Sequence, residues 1–429
     1  MSMSTLILLN PTEDSVWLDS SGHPPQVPLP SHQAEVEGIV DAGRKKTGLE
    51  IVVLVCLRYE KDSDALYVCS VLDSHNSSQQ HWHPLGSLPP AHLKHLNRWL
   101  DSSGPSRIPW SNAHWYYQVR QWLRDNLPPA GYFSRNSFKQ VRCWSMSSIM
   151  KIPTDSETLY LKAVPSLFSV EADLVRWLGQ LAPEQVPEVI ASEPERGWFV
   201  TRDFGGANLS ECEDYSIWKQ ALQAYAQLQI KTTCRTSELL SLGCMDRRLP
   251  RLIEHCHQLA EYFCRTSTEE SGLSRENAKR WRRALPRLKE LAAELESLGI
   301  PYALEHGDLH CGNIQVADEG FVFFDWTDGC IAHPFFSLEP FLVETPREPV
   351  IRSEFVQAYL EVWQTHLPHA DCQKALKLAR VLAMAHQTWS YYLITRAAED
   401  MLKWQLGDAV SALARKTLNA LAELGRKTR

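Results

Sequence analysis

The stretch 304–326, Leu-Glu-His-Gly-Asp-Leu-His-Cys-Gly-Asn-Ile-Gln-Val-Ala-Asp-Glu-Gly-Phe-Val-Phe-Phe-Asp-Trp, constrains this chain more than any other. Its second half reads as a β-hairpin. Residues 314–316 and 321–324 are short apolar runs around Asp318-Glu319-Gly320, a three-residue loop with glycine at the left-handed position. Centring the turn on Glu319 sets Val316 against Val322, Ile314 against Phe324 and Asn313 against Asp325. Directly opposed residues lie about 4.5–5.5 Å apart at Cβ, so this amide and carboxylate are placed to share one hard cation. Mg²⁺ prefers such oxygen ligands, usually one or two carboxylates completed by phosphates. Upstream, Asp308 sits in a glycine-flanked loop, the kind of segment where functional groups concentrate. A carboxylate that accepts a proton, beside an Asn/Asp pair that holds metal, is the division of labour of phosphoryl transfer.

The run His306-Gly307-Asp308-Leu309-His310-Cys311-Gly312-Asn313, followed by Phe324-Asp325-Trp326, resembles the Brenner-type signature of the aminoglycoside phosphotransferase and choline kinase superfamily. The resemblance implies an α+β, protein-kinase-like bilobal phosphotransferase fold. It also implies Asp308 as catalytic base and Asn313 and Asp325 as Mg²⁺ ligands. Two motifs at the right separation make it specific. One departure comes later: the family often continues Asp-Pro-x-x-Asp-Leu, whereas this chain has His333-Pro334-Phe335-Phe336-Ser337-Leu338. Ser337 thus stands where a second structural aspartate is often found.

At 429 residues the chain is long enough for two or three domains and a large core. Its formal net charge of −7 provides no general polyanion-binding surface, so nucleic acid is not an expected partner. The basic run 275–287 reads as the solvated face of a helix. The eleven cysteines are odd in number, scattered, and never spaced as C-x-x-C, which suits reduced thiols in a cytoplasmic protein. His255-Cys256-His257 has no second ligand pair nearby and reads as a packed helix rather than a metal site. Residues 6–9 are far too short for a secretory h-region, and nothing approaches a membrane span. Oligomeric state is left open.

Residues 1–104 read as a separate, small α/β accessory module, with strands near 5–9, 50–58 and 65–71 and a helix near 91–100. The span 29–49, taken with 83–89, resembles the outline of a Nudix hydrolase. Arg44-Lys45-Lys46 occupies the stretch where that helix would carry its glutamates, so the catalytic carboxylates are missing. Ser102-Ser103-Gly104-Pro105 is a linker signal. Residues 106–206 follow as a linker helix, with Trp115, Val119, Trp122 and Leu123 at helical spacing, and a kinase-like small lobe.

In that lobe, strands near 140–144 and 148–153 flank Ser145-Met146-Ser147. Protein kinases place a glycine-rich loop here to cover phosphates. This chain has no glycine, leaving backbone amides and the hydroxyls of Ser145, Ser147 and Ser148 as candidate phosphate contacts. The strand 159–164 places Tyr160, Lys162 and Val164 on one face. The next helix carries Glu171 on the same face as Leu174, Val175 and Leu178. A buried carboxylate needs a cation. Lys162 is the natural partner, and such a pair holds nucleotide phosphates in kinase-like folds. Arg202-Asp203-Phe204-Gly205-Gly206 resembles the superfamily's hinge, with backbone groups of Thr201, Arg202 and Asp203 meeting adenine. Asp203-Phe204-Gly205 precedes the catalytic loop, so it is not the metal motif of protein kinases. Residues 207–429 form a mostly helical large lobe with the catalytic loop and acceptor pocket. The aromatics His386, Trp389, Tyr391 and Tyr392 read mainly as packing.

The combined expectation is a small-molecule kinase that uses ATP and Mg²⁺ to phosphorylate a hydroxyl of an unidentified acceptor, with neither nucleic acid nor membrane as partner. The alternative is a nucleotide-binding pseudokinase or regulatory interaction protein, supported by the glycine-free loop, Ser337 and the extra N-terminal module. A bifunctional hydrolase-kinase is disfavoured by the missing carboxylates. No acidic cluster suited to a polycationic aminoglycoside is plain in the sequence.

Overall fold

Apolar residues near the N-terminus, β1 (Met3–Leu9), form the spine of a six-stranded sheet. The computed structural model describes residues 2–72, 81–102, 107–127, 138–266, 268–343, 345 and 348–427. On one edge β1 runs parallel to β5 (Asp64–Val71) along its whole length. Its other edge is shared in succession by β3 (Gln26–Pro28) and β2 (Ser15–Trp17), with β6 (Trp82–Pro84) beyond β2. The remaining strand, β4 (Ile51–Glu60), forms a hairpin with β5 and lies at the sheet edge. Helices α1 (Glu37–Thr47) and α2 (Pro90–Asp101) belong to the same region. Helix α1 carries Arg44, Lys45 and Lys46 in its last turn.

An edge strand presents unpaired N–H and C=O groups that need partners when buried. At Val53 of β4 a side chain supplies them. Gln140, on β7 (Lys139–Trp144), accepts the Val53 N–H at 2.8 Å and donates to the Val53 C=O at 2.9 Å. Tyr116, on α3 (Ala113–Asn126), donates its hydroxyl to the same carbonyl at 3.0 Å. Backbone bonds continue the seam: Val36 N–H donates to Val141 C=O at 3.0 Å and Cys143 N–H to Ala34 C=O at 2.9 Å. Strand β7 opens a second sheet with β8 (Ser147–Pro153), β9 (Thr158–Ala163), β11 (Trp198–Arg202) and β10 (Val189–Glu193), in the order β10-β11-β9-β8-β7. One apolar cluster runs from β1, β4 and β5 through Trp115, Trp122 and Leu123 to β8, β9 and Trp198.

Two compact units divide the chain. The first comprises Met1–Leu167, Ile190–Asp203 and Arg396–Leu406. The N-terminal region and the small-lobe sheet, expected as separate modules, thus share one unit and one core. The expected linker residues Ser103, Gly104 and Pro105 lie outside the described residues.

The second unit comprises Phe168–Val189, Phe204–Thr395 and Gly407–Arg429. It begins with α4 (Glu171–Leu181), whose Glu171, Leu174, Val175 and Leu178 are all buried, as the helical spacing requires. After β12 (Ala207–Asn208) its helices are α5 (Tyr215–Thr232), α6 (Thr236–Leu242), α7 (Leu249–Arg265), α8 (Thr268–Ser271), α9 (Arg275–Glu296), α10 (Leu338–Val343), α11 (Pro349–His366), α12 (Cys372–Ala397) and α13 (Ala409–Lys427). Helix α9 buries Ala278, Trp281, Leu285 and Leu288 and exposes Lys279, Arg282 and Arg283, an amphipathic helix with a solvated basic face. Among the described residues no helix is long and apolar enough to cross a membrane.

Two small sheets interrupt these helices: β12 with β15 (Ile314–Ala317) and β16 (Gly320–Phe323), and β13 (Met245–Asp246) with β17 (Cys330–Ala332) and β14 (Ala303–Glu305). The hairpin β15-β16 forms, but its register differs from the expected one by a residue. Ala317 pairs with Gly320, so the loop is Asp318-Glu319 alone. Val316 then faces Phe321 and Ile314 faces Phe323. Gly320, the first residue after the loop, sits at φ 138°, a backbone conformation that glycine adopts without strain. The slip moves Asn313 from opposite Asp325 to opposite Phe324, whose N–H donates to the Asn313 C=O at 3.1 Å.

The shared core of the first unit has a direct consequence. A chain beginning at Ser106 lacks Val53 and the apolar strands that complete the core, so Trp115, Tyr116, Cys143 and Met150 lose their cover and face water. Circular dichroism on heating is expected to show non-cooperative melting or aggregation of the shortened chain. A cooperative transition at the full-length temperature would mean that the two parts fold apart.

Candidate active site

Strand β14 ends at Glu305, paired antiparallel with Cys330 of β17. The chain then makes the loop 306–310 and one short turn, Cys311–Asn313, before entering β15. Gly307 holds φ 85°. A Cβ there would lie 2.4 Å from the Asp328 Cβ and 2.5 Å from the Asp328 carbonyl oxygen, so only glycine lets the loop rest on this neighbour. The buried His306 donates its Nε2–H to the Phe324 carbonyl at 2.9 Å, and its ring lies 4.5 Å from that of Trp326. It ties the loop to the segment carrying Asp325 and so shapes the backbone.

Asp308 keeps 48% of its side chain exposed, open to a ligand. The buried Asn313 donates its Nδ2 to the Asp308 carbonyl at 3.0 Å. That bond fixes the amide orientation and turns Oδ1 away as the atom suited to a cation. Asp325 takes φ 63°, a left-handed conformation uncommon for a non-glycine residue. Thr327 donates its hydroxyl to Asp325 Oδ1 at 3.0 Å. An amide oxygen and a carboxylate are oxygen donors of the type Mg²⁺ takes when phosphates complete its shell. Among the described residues no cluster of three or more His, Cys, Asp or Glu offers a self-sufficient metal site. His310 accepts the Gly312 N–H on Nδ1 at 3.0 Å, which leaves Nε2 protonated toward Asp308 Oδ2 at 3.8 Å.

Three buried groups outside the sequence motif support this loop. Arg247, 1% exposed, donates to Asp328 Oδ1 at 3.3 Å and to the Ser390 hydroxyl. Burial pushes the Asp328 carboxyl up, with Arg247 opposing the shift. Gln387 on α12 donates its side-chain amide to the Gly307 carbonyl. Glu305 is fully buried, and its carboxyl meets the Ser337 hydroxyl, the Tyr225 hydroxyl at 3.4 Å and the Gly307 N–H at 3.4 Å. Burial raises Glu305 to about 7, with these hydrogen bonds pulling the other way. Sequence reading passed over all three, because a single charged or amide residue in an apolar stretch carries no periodic signal. Of the aromatics on α12, His386, Trp389 and Tyr392 are buried, and the Trp389 ring stacks on His255 at 4.2 Å, in keeping with packing.

The other candidate residues lie mainly in the first unit. Lys162 on β9 is half-buried, with Nζ 5.9 Å from the Phe199 ring centroid. Ser145 and Met146 form a two-residue turn between β7 and β8. Ser145, Ser147 and Ser148 are buried rather than displayed. The Ser147 hydroxyl accepts from the Trp144 indole at 2.9 Å, and the Ser145 N–H donates to Gln405 Oε1 at 3.1 Å. Thr201 is buried, Arg202 pairs with Glu157, and the Asp203 N–H donates to the Thr158 carbonyl at 3.0 Å. In the second unit, Glu171 opens α4 and is 1% exposed.

Residues 165–369 match the model of the phosphotransferase enzyme family. The match spans just under half of the chain. Choline kinase from Cryptosporidium parvum Iowa II is 14% identical over 73% of this chain and 97% of its own, with a TM-score of 0.51. Choline kinase LicA from Streptococcus pneumoniae is 14% identical over 72% of this chain and 99% of its own, with a TM-score of 0.50. No curated protein matches the chain in sequence. The likeness to these solved structures gives the phosphotransferase its protein-kinase-like fold, as the motif implied.

Gly307→Ala is expected to destabilise the phosphotransferase by roughly 3 kcal/mol or more, combining left-handed backbone strain with a clash against backbone. A fall in melting temperature checks it; an unchanged value would mean that the loop is free to move off Asp328. Glu305 yields a pH dependence. Between its ordinary 4.5 and about 7 the folded protein holds a proton that the unfolded chain releases. The stability from this group is therefore complete below 4.5 and lost as pH rises through about 7, up to about 3 kcal/mol in all. Glu305→Gln is expected to remove that component, read as the difference between the two proteins' denaturant-unfolding energies across the pH range. A constant difference would contradict the assignment.

Proposed function

We propose that this phosphotransferase moves the γ-phosphate of ATP to a hydroxyl of a small-molecule acceptor. The observation that carries the reading is the loop geometry: a solvent-accessible carboxylate, Asp308, whose own carbonyl holds the Asn313 side chain. Asp308 orients the acceptor hydroxyl and takes its proton as the oxygen attacks phosphorus in line. Asn313 and Asp325 would hold Mg²⁺, which would supply positive charge to the phosphate oxygens. Lys162 is the cation assigned to nucleotide phosphate on the first unit. Most of the rate enhancement comes from positioning and electrostatics. The eleven free cysteines fit a reducing, cytoplasmic setting.

A second reading, a nucleotide-binding regulatory protein, draws on the β7-β8 turn. Its serines are buried, and the Ser145 N–H, a donor a phosphate would use, is already taken by Gln405. Transfer to a defined hydroxyl separates the readings. A screen of amino alcohols, aminoglycosides, macrolides, sugars and nucleosides for acceptor-dependent ATP consumption identifies the substrate.

Paired substitutions test the roles. Asp325→Asn removes a charged ligand and is expected to weaken Mg²⁺-ATP binding in calorimetry. Asp308→Asn is nearly isosteric and is expected to keep nucleotide affinity while lowering turnover by ~10²–10⁴-fold, the usual share of a positioned general base. Loss of nucleotide binding in Asp308→Asn alone would exchange the two assignments.

A further inference from the structure

We infer that Glu305 is a positioning residue for Asp308: its carboxyl, gripped by Ser337 and Tyr225, holds the Gly307 amide and with it the left-handed turn that presents Asp308, and the site accepts one carboxyl, at 305 or at 337, but not two or none. The inference rests on reading Asp308 as the acceptor-facing carboxylate.

Both amides preceding Asp308 end on this cluster. The Gly307 N–H donates to Glu305 Oε1 at 3.4 Å, and the His306 N–H donates to the Tyr225 hydroxyl at 3.1 Å. Tyr225 in turn lies 2.7 Å from Ser337 Oγ, and Ser337 donates to Glu305 Oε2. Gln229 anchors the cluster to its surroundings, donating to the Pro334 carbonyl at 3.0 Å and accepting the Tyr359 hydroxyl at 2.5 Å. The loop backbone is thus held by α5, by α11 and by the segment after β17 through one buried acid.

The titratable groups facing Glu305 are Tyr225 on α5, Tyr359 on α11 and Cys330 on β17. Burial drives all three upward, so they remain neutral near pH 7. His306 beside it spends its ring on the Phe324 carbonyl. Among the described residues no lysine or arginine bonds the Glu305 carboxyl. A second carboxyl at 337 would lie in hydrogen-bond reach of the first, where two acids repel or must share a proton. Removing both leaves the Gly307 N–H and the Ser337 hydroxyl without the acceptor they share. Ser337, at the place where the signature often has aspartate, is the complement of a glutamate at 305.

Hydrogen exchange of the full chain without substrate, read by mass spectrometry on peptides covering 304–312, tests this. Glu305→Ala and Ser337→Asp are each expected to speed exchange at 306–308 about tenfold, the loss of one hydrogen bond. Glu305→Gln is expected to keep protection and to abolish its dependence on pH between about 5 and 8. The exchange variant E305S/S337D is expected to return protection close to that of the unmodified protein, a rescue that mere filling of space would not produce. Unchanged exchange in Glu305→Ala would overturn the inference, as would a double variant no better protected than Ser337→Asp alone. If Ser337→Asp does not fold, the contrast between Glu305→Ala and Glu305→Gln decides. Because this readout needs no turnover, it stands apart from the transfer assay on Asp308→Asn, and either can fail without the other.

Discussion

The loop bearing Asp308 lies where it does because Gly307 has no side chain. Its left-handed backbone rests on the backbone of Asp328, closer than any Cβ permits. That contact gives Asp328 two duties, since its carboxylate also takes the buried guanidinium of Arg247. Removing one member of a buried pair strands the other, at about 3–5 kcal/mol. Arg247 is itself anchored, its N–H donating to the Ile331 carbonyl at 2.9 Å. The loop bearing Asp308 is therefore clamped on one side by an ion pair and on the other by the Glu305 cluster. His306 and Gln387 fasten two further backbone carbonyls of the region, at Phe324 and Gly307.

In the first unit the organising constraint is an unfinished sheet edge. Strand β4 would end in unpaired backbone at Val53, and the Gln140 side chain completes it as a short piece of strand would. The small-lobe sheet is thereby sewn to the N-terminal sheet, and their apolar faces merge into one core. The segment Arg396–Leu406 returns to the same unit, with Leu402 1% exposed in the core and Gln405 on the β7-β8 turn. A turn covered in this way has little need of glycine, which accounts for the serines there.

Much of this was legible in the chain. The strands near 5–9, 50–58, 65–71 and 159–164 lie within a residue or two of the observed ones, and the spacing at Glu171, Leu174, Val175 and Leu178 identified the buried face of α4. Alternation and helical recurrence report burial on one face, a local property that nearest neighbours already encode. The hairpin after Asn313 was equally visible, but not its register. Loops of two and three residues around Asp-Glu-Gly differ by a small backbone preference, and one residue reverses every face. Asp325 is turned by its own positive φ rather than by strand pairing.

The sequence by itself determined the order of the chemistry: an Asp in a glycine-flanked loop, an Asn five residues on, and a second Asp after a hairpin. Those features are local, and covalent spacing carries them. Tertiary structure alone decided which polar groups support that order. Glu305 and Ser337 are 32 residues apart, Arg247 and Asp328 are 81, and Val53 and Gln140 are 87. Each pair meets only when the core closes and removes the water that would otherwise satisfy it. A buried polar group must find a partner wherever the fold brings one, and sequence distance does not enter that requirement.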